Sequence, residues 1–149
     1  MTTDLRDLYQ EVIFDHYKRP RNNRTLTKAN HHAEGHNPLC GDKVTIYLKV
    51  EDGIIEDVTF EGSGCAIATA SASMMTETLK GRRIDDVEKL FHGFHDMVTS
   101  APDASTPSLG KLDALRGVRE FPARVKCATL AWHTLQAALR AQENPVSTE

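Results

Sequence analysis

Lys43-Val44-Thr45-Ile46-Tyr47-Leu48-Lys49-Val50-Glu51-Asp52-Gly53-Ile54-Ile55-Glu56-Asp57-Val58-Thr59-Phe60-Glu61 is the stretch that decides the fold. Val44, Ile46, Leu48 and Val50 alternate with Lys43, Thr45, Tyr47 and Lys49, the period of a half-buried strand. Asp52-Gly53 is a strong hairpin-turn pair, because both residue types accept the positive φ that a tight turn between twisted strands demands. Beyond the turn, Ile54, Val58 and Phe60 are expected to continue the apolar face, with Ile55, Asp57, Thr59 and Glu61 opposite. A third strand is expected in about 29–36, which completes a small antiparallel sheet.

Outward from this sheet the chain reads helical. Residues 4–17 carry Leu5, Leu8, Tyr9, Val12, Ile13, His16 and Tyr17 at three- and four-residue steps, with Thr3 as candidate N-cap and Pro20 closing the run. After Gly64, residues 65–79 form an Ala-, Ser- and Met-rich helix that Gly81 ends. Ile84, Val87, Leu90, Phe91 and Phe94 mark the next helix, and 99–110 reads as a loop with a short helical turn at 111–116. Pro122 opens a last helix to about Gln142, with Val125, Ala128, Trp132, Leu135 and Leu139 as its buried stripe. The order is helix, sheet, helices: a single α+β domain with a three-stranded antiparallel sheet packed by several helices.

Composition narrows the function. At 149 residues and 40% apolar content the chain suits one domain with a sizeable core. A net charge of −3 gives no global electrostatic case for nucleic acid. The start Met-Thr-Thr-Asp-Leu-Arg lacks a secretory layout, and no apolar run approaches the roughly 20 residues that cross a bilayer. A cytoplasmic home is expected. Lys18, Arg19, Arg21, Arg24 and Lys28 form a basic stretch without an acidic residue, either a solvated loop or a docking patch for an acidic partner.

Three cysteines remain, each in a different setting: Pro38-Leu39-Cys40-Gly41-Asp42, Gly62-Ser63-Gly64-Cys65-Ala66 and Arg124-Val125-Lys126-Cys127-Ala128. An odd number of widely separated cysteines argues against a disulfide framework. Cys40 lies in a turn made by Pro38 and Gly41, a placement that suits a thiol reaching another protein, and Asp42 follows at the spacing that points two side chains of an extended segment the same way. Cys65 falls at a helix start, where unpaired amides and the helix dipole favour a thiolate. Cys127 sits in the first turns of the last helix beside Arg124 and Lys126. Three thiolates and a carboxylate make a tetrahedral zinc site or a mounting for an iron–sulfur cluster. His31, His32 and His36 read as solvent-facing, His92, His95 and His133 as helix-face residues without ligand spacing, and Met74-Met75 as core filler.

Taken in order, these segments resemble the U-type proteins of iron–sulfur cluster assembly, the IscU/NifU N-terminal family. The matching residues are Tyr9, His16-Tyr17-x-x-Pro20, Asn37-Pro38-x-Cys40-Gly41-Asp42, Gly62-x-Gly64-Cys65-Ala66-Ile67 and Cys127. The resemblance covers nearly the whole chain, with a family domain over residues 1–143 and a mobile tail over 144–149. It implies cysteines gathered at one exposed end of the fold. Lys126 stands where IscU-like members carry histidine, and the Cys65–Cys127 interval is longer, with the extra loop placed around 99–121. Both features resemble the SufU branch. That branch implies a zinc-dependent sulfurtransferase holding zinc through Cys40, Asp42, Cys65 and Cys127. Cys40 would accept persulfide sulfur from a SufS-type cysteine desulfurase for a downstream iron–sulfur scaffold. The alternative is a non-enzymatic scaffold on which iron and a [2Fe–2S] cluster are assembled and transferred.

Overall fold

The structure is a computed structural model describing residues 5–38, 41–101, 104–140 and 146–147. The expected N-cap Thr3 and the cysteine Cys40 lie outside the described residues. Helix α1 (Leu5–Lys18) leads into strands β1 (His31–Asn37), β2 (Asp42–Glu51) and β3 (Ile54–Ser63). Helices α2 (Ala66–Leu79) and α3 (Ile84–Thr99), a 3-10 helix (Gly110–Glu120) and α4 (Pro122–Leu139) follow. The three strands form an antiparallel sheet in the order β3-β2-β1. Val146–Ser147, within the stretch expected as a mobile tail, is a two-residue strand β4 running parallel to Gly35 and His36 on the outer edge of β1. Among the described residues no helix is long and apolar enough to cross a membrane.

The β2–β3 hairpin turns at Asp52 and Gly53, both at positive φ (52° and 74°), as the pair's chemistry demands. Side-chain parity along β3 departs from the expectation. Ile55 is buried and Ile54 is exposed, yet Val58 and Phe60 also face inward. The register explains this: Lys49 pairs with Asp57 but Val50 pairs with Ile55, so Glu56 is an extra residue. A bulge of this kind shifts the alternation by one position. It places Ile55, Val58 and Phe60 on one face, and full burial of each such side chain contributes about 1.5–3 kcal/mol.

Helices α2 and α4 cover that face. Gly35 of β1 meets α4 so closely that a Cβ there would fall on Thr134 Oγ1, so only a residue without a side chain allows the approach. Trp132 stacks on Phe94 with ring centroids 4.4 Å apart, and its Nε1 donates to Ser71 Oγ, which in turn donates to the Ala128 carbonyl. Those bonds tie α2 to α4. Met74 and Met75 are buried core residues, as their placement on α2 suggested. The segment 110–120 is ordered further than the expected short turn. Leu112, Ala114, Leu115 and Val118 are buried, and Asp113 accepts from the Leu109 amide and Arg116.

Within the basic stretch of residues 18–28, Lys18, Arg19 and Lys28 are exposed, while Arg21 and Arg24 pair with acidic residues of the fold. Arg21 pairs with Asp15 at 2.7 Å and Arg24 with Asp57 at 2.8 Å, while Asn22 O accepts from Phe60 N and strands the segment beside β3. His16, 4% exposed, shares Ser73 Oγ with the Arg21 amide, both at 2.8 Å. Burial holds the His16 imidazole below its ordinary pKa, with the Arg21 charge adding to it. Burial, then His95, does the same to His133.

The unfolded chain therefore takes up these protons first as the pH falls. Stability is complete above about pH 6.5 and declines below it, because the folded state disfavours imidazolium at both positions. Urea unfolding midpoints are expected to drop between pH 7.5 and 5.5, with a shallower drop in His16→Gln; an equal or higher midpoint at pH 5.5 would contradict this.

Candidate metal centre

The sheet ends where the chain turns from β1 into β2, and the site is built around that end. Asn37 closes β1, Asp42 opens β2, and the two are direct partners in the antiparallel register. Alternation places both on the face that also carries Val44, Ile46 and Leu48, so each points inward, and neither has any solvent exposure. A carboxylate in such a place requires donors. Asp42 Oδ1 accepts from the Cys65 backbone N–H at 2.9 Å, and Oδ2 lies 3.5 Å from Asn37 Nδ2. Gly64 makes the first contact possible, because a Cβ at that position would stand 2.6 Å from Oδ1.

Cys65 is the N-cap of α2, in extended backbone conformation with its Sγ accepting the Ala68 N–H at 3.4 Å. The sulfur thus sits at the positive end of a helix, where serine or aspartate oxygen more often stands. Cys127 projects from the second turn of α4, 3% exposed, with Asn37 Nδ2 at 3.7 Å from its Sγ. Of the two cations beside it in sequence, Arg124 lies over the Phe121 ring at 4.4 Å.

Ligand atoms of Asp42, Cys65 and Cys127 all lie within 4.8 Å of one another. Ligands on one tetrahedral zinc stand about 3.3–3.8 Å apart, so contraction of about 1 Å closes this donor set on an ion. Two sulfurs and one carboxylate oxygen are a chemically fitting set for zinc or for an iron–sulfur cluster. Three of the four residues expected at the site are therefore brought together from β2, the start of α2 and α4. Cys40, the fourth, lies outside the described residues, two positions before Asp42 in sequence. Among the described residues no histidine joins the cluster. His32 is exposed and His36 half-buried, while His31 Nδ1 is 3.1 Å from the Ala138 carbonyl.

The residue whose place at the site sequence reading did not identify is Asn37. Its amide touches both Asp42 and Cys127, and its Oδ1 is buried with no hydrogen-bond partner among the described residues. Leaving such an oxygen unsatisfied costs about 1–3 kcal/mol. Two signals were available: Asn37 opens the Asn37-Pro38-x-Cys40-Gly41-Asp42 motif, and it lies two residues beyond Gly35 on the inward face of β1, a polar side chain where an apolar one is expected.

With this geometry the chain's kinship is plain. The family model described as the NifU-like N terminal domain matches residues 8–128, and the chain belongs to that IscU/NifU family. A zinc-dependent sulfurtransferase SufU of Bacillus subtilis (strain 168) is 42% identical over 140 residues, which are 94% of this chain and 95% of that protein. An iron–sulfur cluster assembly scaffold protein IscU of Streptococcus pyogenes serotype M1 is 38% identical over 94% of this chain and 87% of its own length. The crystal structure of a nitrogen-fixing NifU-like protein (N-terminal) from Brucella abortus superposes with a TM-score of 0.79 at 26% identity, over 90% of this chain and 93% of that one.

The contact between Gly64 and Asp42 yields a direct test. Gly64→Ala forces the carboxylate off the Cys65 amide, and the resulting overpacking and lost bond are expected to cost about 1–3 kcal/mol. Thermal unfolding should show a lowered Tm, and dialysed protein should retain less metal per chain; a wild-type Tm and metal content would show that the contact relaxes freely.

Proposed function

We propose that this chain is a zinc-dependent sulfurtransferase of iron–sulfur cluster assembly, accepting persulfide sulfur from a SufS-type cysteine desulfurase for a downstream iron–sulfur scaffold in the cytoplasm. The observation that carries the reading is the convergence of Asp42, Cys65 and Cys127 within 4.8 Å, in a chain that has Lys126 before its third cysteine. A lysine ammonium cannot coordinate, which leaves Asp42 as the natural companion of Cys40, Cys65 and Cys127. These four residues would hold the zinc. When bound it supplies a redox-inert positive charge that keeps the cysteines deprotonated.

The protein residues divide the work according to their mounting. Cys65 and Cys127 are carried by α2 and α4, both anchored in the core, and Asp42 is clasped by the Cys65 amide. They are the fixed members. Cys40, which lies between β1 and β2 in the sequence, is the sulfur acceptor. Its thiolate attacks the outer sulfur of the desulfurase persulfide; a new S–S bond forms on Cys40 as the old one breaks, and the desulfurase cysteine leaves as thiolate with both electrons of that bond. No external oxidant or reductant is needed, because the exchange conserves the persulfide oxidation state. Similarity to the SufU of Bacillus subtilis supports this reading.

Similarity to the Streptococcus IscU supports a second reading, in which the same donor set holds a [2Fe–2S] cluster as cargo. Cysteine turnover by a purified SufS-type desulfurase separates the two. The zinc-loaded protein is expected to raise turnover many-fold, and Cys40→Ala or removal of zinc to abolish that rise. Stimulation that survives in Cys40→Ala would remove Cys40 from the reaction. A protein that gives no stimulation and turns stably brown on anaerobic reconstitution with iron and sulfide would be a scaffold.

A further inference from the structure

We infer that Asn37 is a positioning residue of the metal centre, its side-chain amide setting both where the Asp42 carboxylate and the Cys127 sulfur stand and how strongly the sulfur donates. The inference rests on the reading of Asp42 and Cys127 as metal ligands. Asn37 has no solvent exposure and makes two polar contacts through one nitrogen: Asp42 Oδ2 at 3.5 Å and Cys127 Sγ at 3.7 Å. Both neighbours are acceptors in their ligating forms, so the NH2 end of the amide is the end that belongs there. The other end, Oδ1, is buried without a partner among the described residues.

Asn37 ends β1 opposite Asp42, on a face where a leucine would bury more apolar surface but would strip Asp42 Oδ2 of its amide contact. The contacts the amide makes are both to the donor set, and they leave its own Oδ1 without a partner among the described residues. The two ligands it touches come from chain segments 85 residues apart, β2 and α4, and Asn37 is the side chain that links them. Asp42 is thereby fixed from two sides, by the Cys65 amide on Oδ1 and by Asn37 on Oδ2.

The chemical consequence differs for the two ligands. The bond to Asp42 orients the carboxylate and leaves it a weaker donor. The N–H pointed at Cys127 stabilises the sulfur lone pairs, which lowers their donation to a metal. Groups that orient metal ligands typically change metal affinity roughly 10–100-fold when removed.

The test uses Co(II) added to metal-free full-length protein, with affinity measured by competition against a chromophoric chelator and the sulfur-to-cobalt charge-transfer band recorded. Two variants are compared with wild type: Asn37→Leu, which removes the amide and its orphaned oxygen, and Asn37→Asp, which keeps the shape but places a third negative group against Asp42 and Cys127. In Asn37→Leu, once shown to be folded by circular dichroism, Co(II) affinity is expected to fall roughly 10–100-fold. In folded Asn37→Asp, whose added charge itself attracts the cation, the displaced charge-transfer band is the readout. In Asn37→Leu the charge-transfer band should also move to longer wavelength, because the sulfur has lost its hydrogen bond. Wild-type affinity and band position in a folded variant would overturn the role of Asn37, and so would failure of both variants to fold, which would make the residue structural. A wild-type protein showing no charge-transfer band would instead sink the metal reading of the site itself.

Discussion

A carboxylate with no solvent exposure, at the point where three segments of the chain meet, is the constraint on which the rest of this structure turns. Asp42 opens β2, and its side chain faces the core because strand alternation puts it on the same side as Val44, Ile46 and Leu48. Its oxygens are met by the Cys65 amide and the Asn37 side chain. Each of those partners depends on something further away: Cys65 on the Gly62-Ser63-Gly64 exit from β3, Asn37 on the β1–β2 register. Burying a charge this way is costly unless it is paired, and a cation shared with Cys65 and Cys127 would supply the charge balance.

The scaffold around that corner is stiff where the site requires it. Gly35 lets α4 lie directly on β1, and the Ser71–Trp132–Ala128 bonds tie α4 to α2, so the sulfurs of Cys65 and Cys127 are carried by helices joined to each other. An ion bound by all the segments would close long loops of the chain between β2, α2 and α4. Metal binding would therefore also be a term in folding stability. On the far side of α2, His16 and Ser73 dock α1, and Arg21 and Arg24 after it pair with Asp15, Glu77 and Asp57. Part of the basic sequence thus fastens the chain to its own fold, while Lys18, Arg19 and Lys28 face outward.

Much of the architecture was legible because it follows from local rules. The hairpin was set by a period-two pattern on either side of Asp52-Gly53, and α2 and α4 by their apolar content, Gly81 and Pro122. Parity along β3 was not legible, since one extra residue at Glu56 reverses it and no local signal marks a bulge. The 3-10 helix was read too short because its stability comes from Leu112, Leu115 and Val118 entering the core, not from its own propensity.

For the site, sequence alone offered the candidate donors: three cysteines and one aspartate two residues after the first. Helix-start placement of Cys65 also followed from the glycines before it. Only the tertiary structure decided that Asp42, Cys65 and Cys127 converge, since their separation along the chain says nothing about distance in space. It alone decided that Asn37 is the side chain between two of them. A hydrogen bond from Asn37 to Cys127 joins residues 90 positions apart, and such a contact exists only after the sheet and α4 have packed.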